Sequence, residues 1–137
     1  MGEIFALQGR GECGKSFTIN ELFRILDAKY PNCVIKDYFP KEYDIKIEMK
    51  INNILIGIES KGDPDSRLEE SLNDFEKHKC DIIFCAARTR GMTVDWINSH
   101  KKNYHINFIK QTIVANNQQQ SQSNKKVAQD MINKAGL

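Results

Sequence analysis

The sequence lacks closely spaced cysteine pairs. Its four cysteines, Cys13, Cys33, Cys80 and Cys85, are scattered along the chain, and none forms the C-x₂-C spacing of a tetrahedral zinc site or a redox dithiol. Three of them lie in apolar runs, which predicts buried, reduced thiols. We therefore expect a protein of a reducing compartment, the cytoplasm.

Long apolar runs and a large excess of charge are also missing. No run approaches the roughly 18 apolar residues of a membrane span. The first residues, Glu3 to Leu7, resemble a strand more than a secretory signal, which would begin with a basic region. With 20 basic and 18 acidic residues the formal charge is only +2. These features predict a soluble protein with no membrane partner and give no clear signal for nucleic-acid binding.

Apolar patterning predicts an α/β fold. The chain has 137 residues, 40% of them apolar, which suits one domain with its own core. Strand-like runs at 3–8, 33–35, 54–58, 81–86 and 104–109 alternate with helical patterns, for instance at 17–26. This alternation predicts a doubly wound, mainly parallel sheet with helices on both faces.

One antiparallel hairpin is expected in that sheet. Residues 44–51 alternate strictly between polar and apolar, whereas 54–58 are all apolar or glycine, with Asn52-Asn53 between the two runs. This pattern predicts a hairpin whose first strand is a half-exposed edge and whose second strand lies inside the sheet.

The composition changes near the C-terminus. Residues 118–124 are rich in Gln, Ser and Asn, which predicts a flexible linker over 117–124 after the α/β domain at 1–116. Residues 125–137 carry an apolar stripe typical of an amphipathic helix. That helix could pack on the sheet or bind a partner protein.

A glycine-rich segment between the first strand and the first helix carries the strongest motif. It fits G-x-x-x-x-G-K-[ST] without a mismatch, in the strand–loop–helix context that this motif requires. Its residues are Gly9, Arg10, Gly11, Glu12, Cys13, Gly14, Lys15 and Ser16, followed by Phe17. Glycines let backbone N–H groups surround phosphates, and the helix N-terminus adds partial positive charge. We expect Lys15 to reach the β- and γ-phosphates and Ser16 to offer its hydroxyl to Mg²⁺.

On this motif the sequence resembles the P-loop NTPase superfamily, from the first strand to about Ile109. The resemblance implies a nucleoside triphosphate and Mg²⁺ as ligands. Arg10 occupies the place of a second lysine in the loop of the MinD-like branch, with Arg for Lys and Glu12 for a glycine. It could contact phosphate within one chain or across a dimer, or be a solvated loop charge.

A P-loop also needs a carboxylate near the metal, and two candidates follow the apolar run 54–58. Glu59 comes directly after the run, as a Walker B carboxylate would. Asp63 follows four residues later, and residues 59–62 resemble the D-x-x-G element of GTPases with Glu for Asp. We rank Glu59 first as the metal-supporting residue, with Asp63 second.

Two arginines, Arg88 and Arg90, follow the predicted strand 81–86. Ligands of open α/β sheets bind at the carboxyl ends of strands, where a guanidinium can stabilise a transferring phosphoryl group or clamp an acceptor. The alternative is a solvated basic loop.

These features favour an ATP-dependent hydrolase or switch. GTP is less favoured because the [NT]-K-x-D element that recognises guanine is missing. A small nucleotide or metabolite kinase, with Arg88 and Arg90 clamping phosphates, is the first alternative. A nucleotide-dependent binding module without catalysis is the second. The sequence leaves the phosphoryl acceptor and the oligomeric state open.

Overall fold

The computed structural model describes residues 1–11, 13–114 and 116–137. Its strands are β1 (Gly2–Gln8), β2 (Val34–Asp37), β3 (Lys46–Ile51), β4 (Ile54–Glu59), β5 (Ile82–Ala87) and β6 (Tyr104–Lys110). Its helices are α1 (Lys15–Lys29), α2 (Leu68–Lys77), α3 (Met92–Asn98) and α4 (Asn117–Lys134). The α/β class is therefore confirmed.

The strands form one six-stranded sheet in the order β2-β3-β4-β5-β1-β6. The pairs β4–β5, β5–β1 and β1–β6 are parallel, and β2–β3 and β3–β4 are antiparallel. Because β1 has parallel neighbours on both sides, the loop after it begins at the centre of the parallel part of the sheet.

Alternate side chains of the central strands enter two cores. In β1, Phe5 and Leu7 pack in a cluster with side chains of α1 and α4, whereas Ile4 and Ala6 pack in a cluster with side chains of α2 and α3. Strand β5 divides in the same way. Since every second residue of a strand faces the same side, a fully apolar strand supplies both layers at once.

The predicted hairpin forms, but its first strand is not the edge. Strand β2 pairs with β3 and takes the edge position, with all four of its residues exposed. Two polar residues of β3 contact other side chains: Lys46 pairs with Asp74 of α2, and Glu48 contacts His78. The alternation in β3 therefore reflects a layer of polar contacts with α2 and with the residue that follows it, and this is why the edge prediction was wrong.

Helix α4 begins earlier than the sequence suggested. The segment predicted as a linker, 117–124, forms its first two turns, and the Asn116 side chain caps it by accepting from the Gln119 backbone N–H at 2.8 Å. Asn124 is buried and bonded to Gln111 at 2.8 Å. The polar composition therefore belongs to a helix that is capped and held by side-chain amides.

Candidate functional site

The loop between β1 and α1 begins with a link to the neighbouring strand. The Gly9 N–H donates to the carbonyl of Ala87, at the end of β5, at 3.1 Å. Gly14, the residue before α1, has a φ of 87°, a left-handed conformation that favours glycine. Lys15 and Ser16 are then the first two residues of α1.

Lys15 is buried, with 6% of its surface exposed. Its Nζ donates to the carbonyls of Gly9 and Ala87, the second at 2.9 Å. Burial lowers the pKa of this ammonium, and nearby Arg88 lowers it further, whereas Cys13 and Asp63 oppose the shift. Among the residues that the structure describes, this buried ammonium is bonded to neutral carbonyls at the rim of the loop.

Ser16 contacts a carboxylate that sequence reasoning missed. Its Oγ donates to Oδ1 of Asp44 and, at 3.2 Å, lies close to the Ser60 carbonyl. The Ser60 hydroxyl donates to the same Asp44 oxygen at 2.8 Å and accepts from the Ile45 N–H at 2.8 Å. A hydroxyl, a carboxylate and a carbonyl thus meet at the N-terminus of α1.

The hairpin register explains how Asp44 arrives there. Lys46 pairs with Glu59 across β3 and β4. The residues before β3 must therefore lie beside those after β4, where the Ser60 N–H donates to the Ile45 carbonyl at 3.0 Å. The predicted hairpin already contained this signal, but Asp44 was treated only as the first polar residue of an alternating strand.

Glu59 has a different environment. It is fully buried, and its Oε1 accepts from Arg67 Nε at 2.8 Å and from Ser71 Oγ at 2.5 Å. Its Oε2 accepts from the Lys61 N–H at 3.0 Å. These contacts commit both oxygens to α2, the residue before it and the adjoining loop. The structure therefore brings Asp44 to Ser16 and holds Glu59 in an ion pair.

Asp63 and Arg88 meet beside the loop. Arg88 Nε donates to Asp63 Oδ1 at 3.0 Å, in a pair whose side chains are 39% and 55% exposed. A Cβ at Gly11 would lie 2.8 Å from a guanidinium nitrogen of Arg88, so the arginine lies against the loop backbone. Arg90 is exposed in the segment that leads into α3. Of the two arginines, the structure places Arg88 next to the glycine-rich loop.

The segment carrying Asp63 packs tightly against β5. A Cβ at Gly62 would lie 2.4 Å from the Ala86 carbonyl carbon and oxygen. Only a glycine permits this approach. The chain after β4 is thereby held against the end of β5, where the Ala87 carbonyl accepts a hydrogen bond from the Lys15 ammonium.

The remaining residues of the loop are positioned as follows. Arg10 is exposed, Phe17 is half-buried and Cys13 is buried. Glu12 lies outside the described residues. Gln111, which sequence reasoning also missed, is buried and donates to the Cys13 carbonyl at 3.0 Å. Because Gln111 also bonds Asn124 of α4, it links the back of the loop to that helix.

A cavity of about 460 Å³ opens over these groups. Its walls come from the start of α1, the segment before β3 and the segment after β4. They are formed by Cys13, Gly14, Lys15, Ser16, Phe17, Tyr43, Asp44, Ser60, Lys61, Gly62, Asp63, Asp65 and Ser66.

The donor set at Ser16 suits Mg²⁺, which prefers hydroxyl, carboxylate and carbonyl oxygens and commonly completes its shell with waters and substrate phosphates. Among the residues that the structure describes, no three His, Cys, Asp or Glu side chains are grouped as a metal site. A metal at Ser16 would therefore rely on oxygens of a bound ligand or water.

Within the described parts of the chain, no helix has the length and apolar character needed to cross a membrane. The chain matches no protein-family model, and neither a curated protein nor a solved structure matches it.

Proposed function

We propose that this protein binds a nucleoside triphosphate with Mg²⁺ in the cavity over the β1–α1 loop, favours ATP and hydrolyses it. One observation carries the proposal: Lys15 and Ser16 stand side by side at the N-terminus of α1, and Asp44 is hydrogen-bonded to Ser16 on the cavity wall. An anion and a divalent cation each find suitable groups there.

The finer description of the fold belongs to the same proposal. A P-loop-like, doubly wound arrangement is supported by the central position of β1 and by the separate packing of α1 with α4 and of α2 with α3. Ligands of such sheets bind where strands end at their carboxyl side. The loop after β1 forms part of the proposed site, and the loops after β4 and β5 begin beside it.

Phosphate binding would exploit the buried ammonium. Lys15 is bonded to two neutral carbonyls, and exchanging one of them for a charged phosphate oxygen gives a stronger, charge-assisted hydrogen bond. The N–H groups at the start of α1 and its helix dipole favour negative charge at the same place.

Ser16 and Asp44 would support the Mg²⁺ ion, Ser16 through its hydroxyl and Asp44 directly or through water. When bound, the metal neutralises charge on the β- and γ-phosphates. Asp44 takes the role that we predicted for Glu59, because it lies beside Ser16 whereas Glu59 is enclosed by Arg67, Ser71 and Lys61.

In hydrolysis, a water oxygen bonds to the γ-phosphorus as the bond to the β–γ bridging oxygen breaks, which releases ADP and phosphate. Asp63 is placed to orient that water, because it lines the cavity, and Arg88 lies beside it.

The four free cysteines support a cytoplasmic location.

The experiment is a binding and turnover screen of ATP and GTP with Mg²⁺, on the wild type and on Lys15→Ala. Lys77→Ala, an exposed lysine at the end of α2, is the matched control. We expect the Lys15 change alone to weaken triphosphate binding sharply, while circular dichroism shows that the variant is folded. Equal affinity in all three proteins would refute the proposal.

The same screen separates the alternatives. Phosphate release without an added acceptor indicates a hydrolase. Release that waits for a nucleotide or metabolite acceptor indicates a kinase, and tight binding without turnover indicates a binding module.

A further inference from the structure

Arg67 lies at the centre of a set of contacts outside the cavity. Its side chain is 13% exposed, and its guanidinium group has three acceptors. Nε donates to Glu59 at 2.8 Å, one terminal nitrogen donates to Glu42 at 3.0 Å, and the other donates to the backbone carbonyl of Asp44 at 3.0 Å. The group also stacks on the Phe39 ring, 4.0 Å from its centroid.

The contact with Asp44 matters because of where Asp44 lies in the chain. Residues 40–43 before it are mostly exposed, whereas Ile45 after it is fixed by bonds with Ser60. Arg67 therefore holds the carbonyl of the very residue whose carboxylate meets Ser16. Without that bond, the backbone of Asp44 would be held from the Ile45 side, and its carboxylate would depend on the hydroxyls of Ser16 and Ser60.

Glu59 keeps the guanidinium in place. Both carboxylate oxygens are bonded, to Arg67 and Ser71 on one side and to the Lys61 N–H on the other. Burial disfavours the charge of Arg67, but its bonds with Glu59 and Glu42 outweigh this and raise its pKa. The planar guanidinium group, anchored on the buried Glu59 carboxylate, supports the Asp44 carbonyl more rigidly than a lysine ammonium could.

We propose that Arg67, anchored by Glu59, is the positioning residue that holds Asp44 beside Ser16 for metal binding. This inference rests on the proposed function. It assigns Arg67 no contact with the ligand: Arg67 acts through Asp44. Groups that orient a metal-supporting residue commonly contribute tenfold to a hundredfold to metal affinity.

The test measures the affinity of the site for Mn²⁺, which serves as the metal probe. Binding is followed by electron paramagnetic resonance in the presence of a saturating, non-hydrolysable ATP analogue. ATP affinity without metal is measured separately in a chelator. Arg67→Lys keeps a cation for Glu59 but cannot reach all three acceptors. We expect Mn²⁺ affinity to fall about tenfold, with metal-free ATP affinity within about twofold of wild type.

The same change is then made in the Asp44→Asn background. If Arg67 acts through Asp44, Arg67→Lys should have almost no further effect on Mn²⁺ affinity in this background, because the Asp44 carboxylate is already lost. An equal loss of Mn²⁺ affinity in both backgrounds would overturn the inference. Arg24→Lys, at an exposed arginine that pairs with the buried Glu21, is the control and should leave both affinities unchanged.

Phe39→Ala provides a second route should Arg67→Lys not fold, since Phe39 is only half-buried and its loss leaves the ion pair intact. We expect a smaller fall in Mn²⁺ affinity, again absent in the Asp44→Asn background. Unchanged Mn²⁺ affinity in the folded Arg67 or Phe39 variants would refute this inference alone. A wild-type protein that binds no ATP would refute the proposed function as well.

Discussion

Asp44 and Ser60 meet where the β3–β4 hairpin opens, and the Ser60 hydroxyl donates to Asp44 Oδ1 at 2.8 Å. Ser16 donates to the same oxygen from the first turn of α1. The β3–β4 hairpin and the start of α1, which are distant in sequence, are thus linked through the carboxylate of Asp44. The proposed site depends on this junction.

Asp44→Asn tests the junction. The change keeps the shape of the side chain but removes its charge, so the attraction for a divalent cation is lost. We expect Mg²⁺-dependent ATP affinity to fall about tenfold to a hundredfold, while ATP affinity measured in a chelator changes little. Titration calorimetry with and without Mg²⁺ checks this.

Asp65→Asn is the control for that measurement, because Asp65 is an exposed carboxylate on the wall of the same cavity. It should behave as wild type. If both variants lost the same affinity, the effect would come from the general negative charge of the cavity and not from the contact with Ser16.

Glu59→Gln should act on stability. The carboxylate is fully buried and paired with Arg67, and removing its charge leaves the largely buried guanidinium with the exposed Glu42 as its carboxylate partner. We expect the free energy of unfolding to fall by about 3 kcal/mol. Asp63→Asn breaks an exposed pair with Arg88 and should cost less than about 1 kcal/mol.

Urea unfolding, followed by circular dichroism, measures both changes. A stable Glu59→Gln protein that no longer hydrolyses ATP would restore our original prediction, that Glu59 supports the metal. An unstable one would identify it as the anchor of Arg67.

The pH dependence of stability tests the burial of Lys15. Burial lowers its pKa in the folded protein below 10.5, so the unfolded chain binds more protons in the range between the two values. Lys15 therefore disfavours folding at neutral pH, and this cost is relieved as the pH rises towards 10.5.

Lys15→Met removes the titrating group. We expect it to be more stable than wild type at pH 7, and we expect the difference to shrink as the pH approaches 10.5. Thermal melts at a series of pH values follow this. A difference that grows with pH would show that the ammonium is not disfavoured by its surroundings.

Much of the fold was readable from local pattern. The apolar runs and the motif predicted β1, the loop and α1, because each signal lies within a short stretch of sequence. Position in the sheet was harder: β3 carries polar residues that pair with Asp74 and His78, and these pairs exist only after the chain has folded. An alternating pattern cannot distinguish a strand face exposed to solvent from one that makes polar contacts with a helix.

The residues of the site also differ in how far the sequence predicts them. Lys15 and Ser16 follow from the motif, whereas Asp44 and Gln111 reach the loop through sheet register and helix packing. Glu59 shows the converse problem. Its place at the end of an apolar strand suggested a ligand, but the face on which it lies is set by the pleat, and that face packs against α2.

The two arginines after β5 give the last test, because the structure treats them differently. Arg88 lies against the backbone of Gly11 and pairs with Asp63, whereas Arg90 is exposed before α3. If Arg88 stabilises charge that develops on the transferring phosphoryl group, Arg88→Ala should lower kcat about tenfold to a thousandfold with little change in ATP affinity. Arg90→Ala, the matched control, should have almost no effect.

Single-turnover and steady-state phosphate release on the two variants distinguish the remaining functions. A loss confined to the KM of an added acceptor would assign Arg88 to acceptor binding and favour the kinase. Equal losses in both variants would mean that the segment after β5 rearranges on binding, since Arg90 would have to move to reach the loop. Wild-type kinetics in the double variant would remove both arginines from the reaction, and Lys15 and the N-terminus of α1 would then stabilise the phosphoryl group.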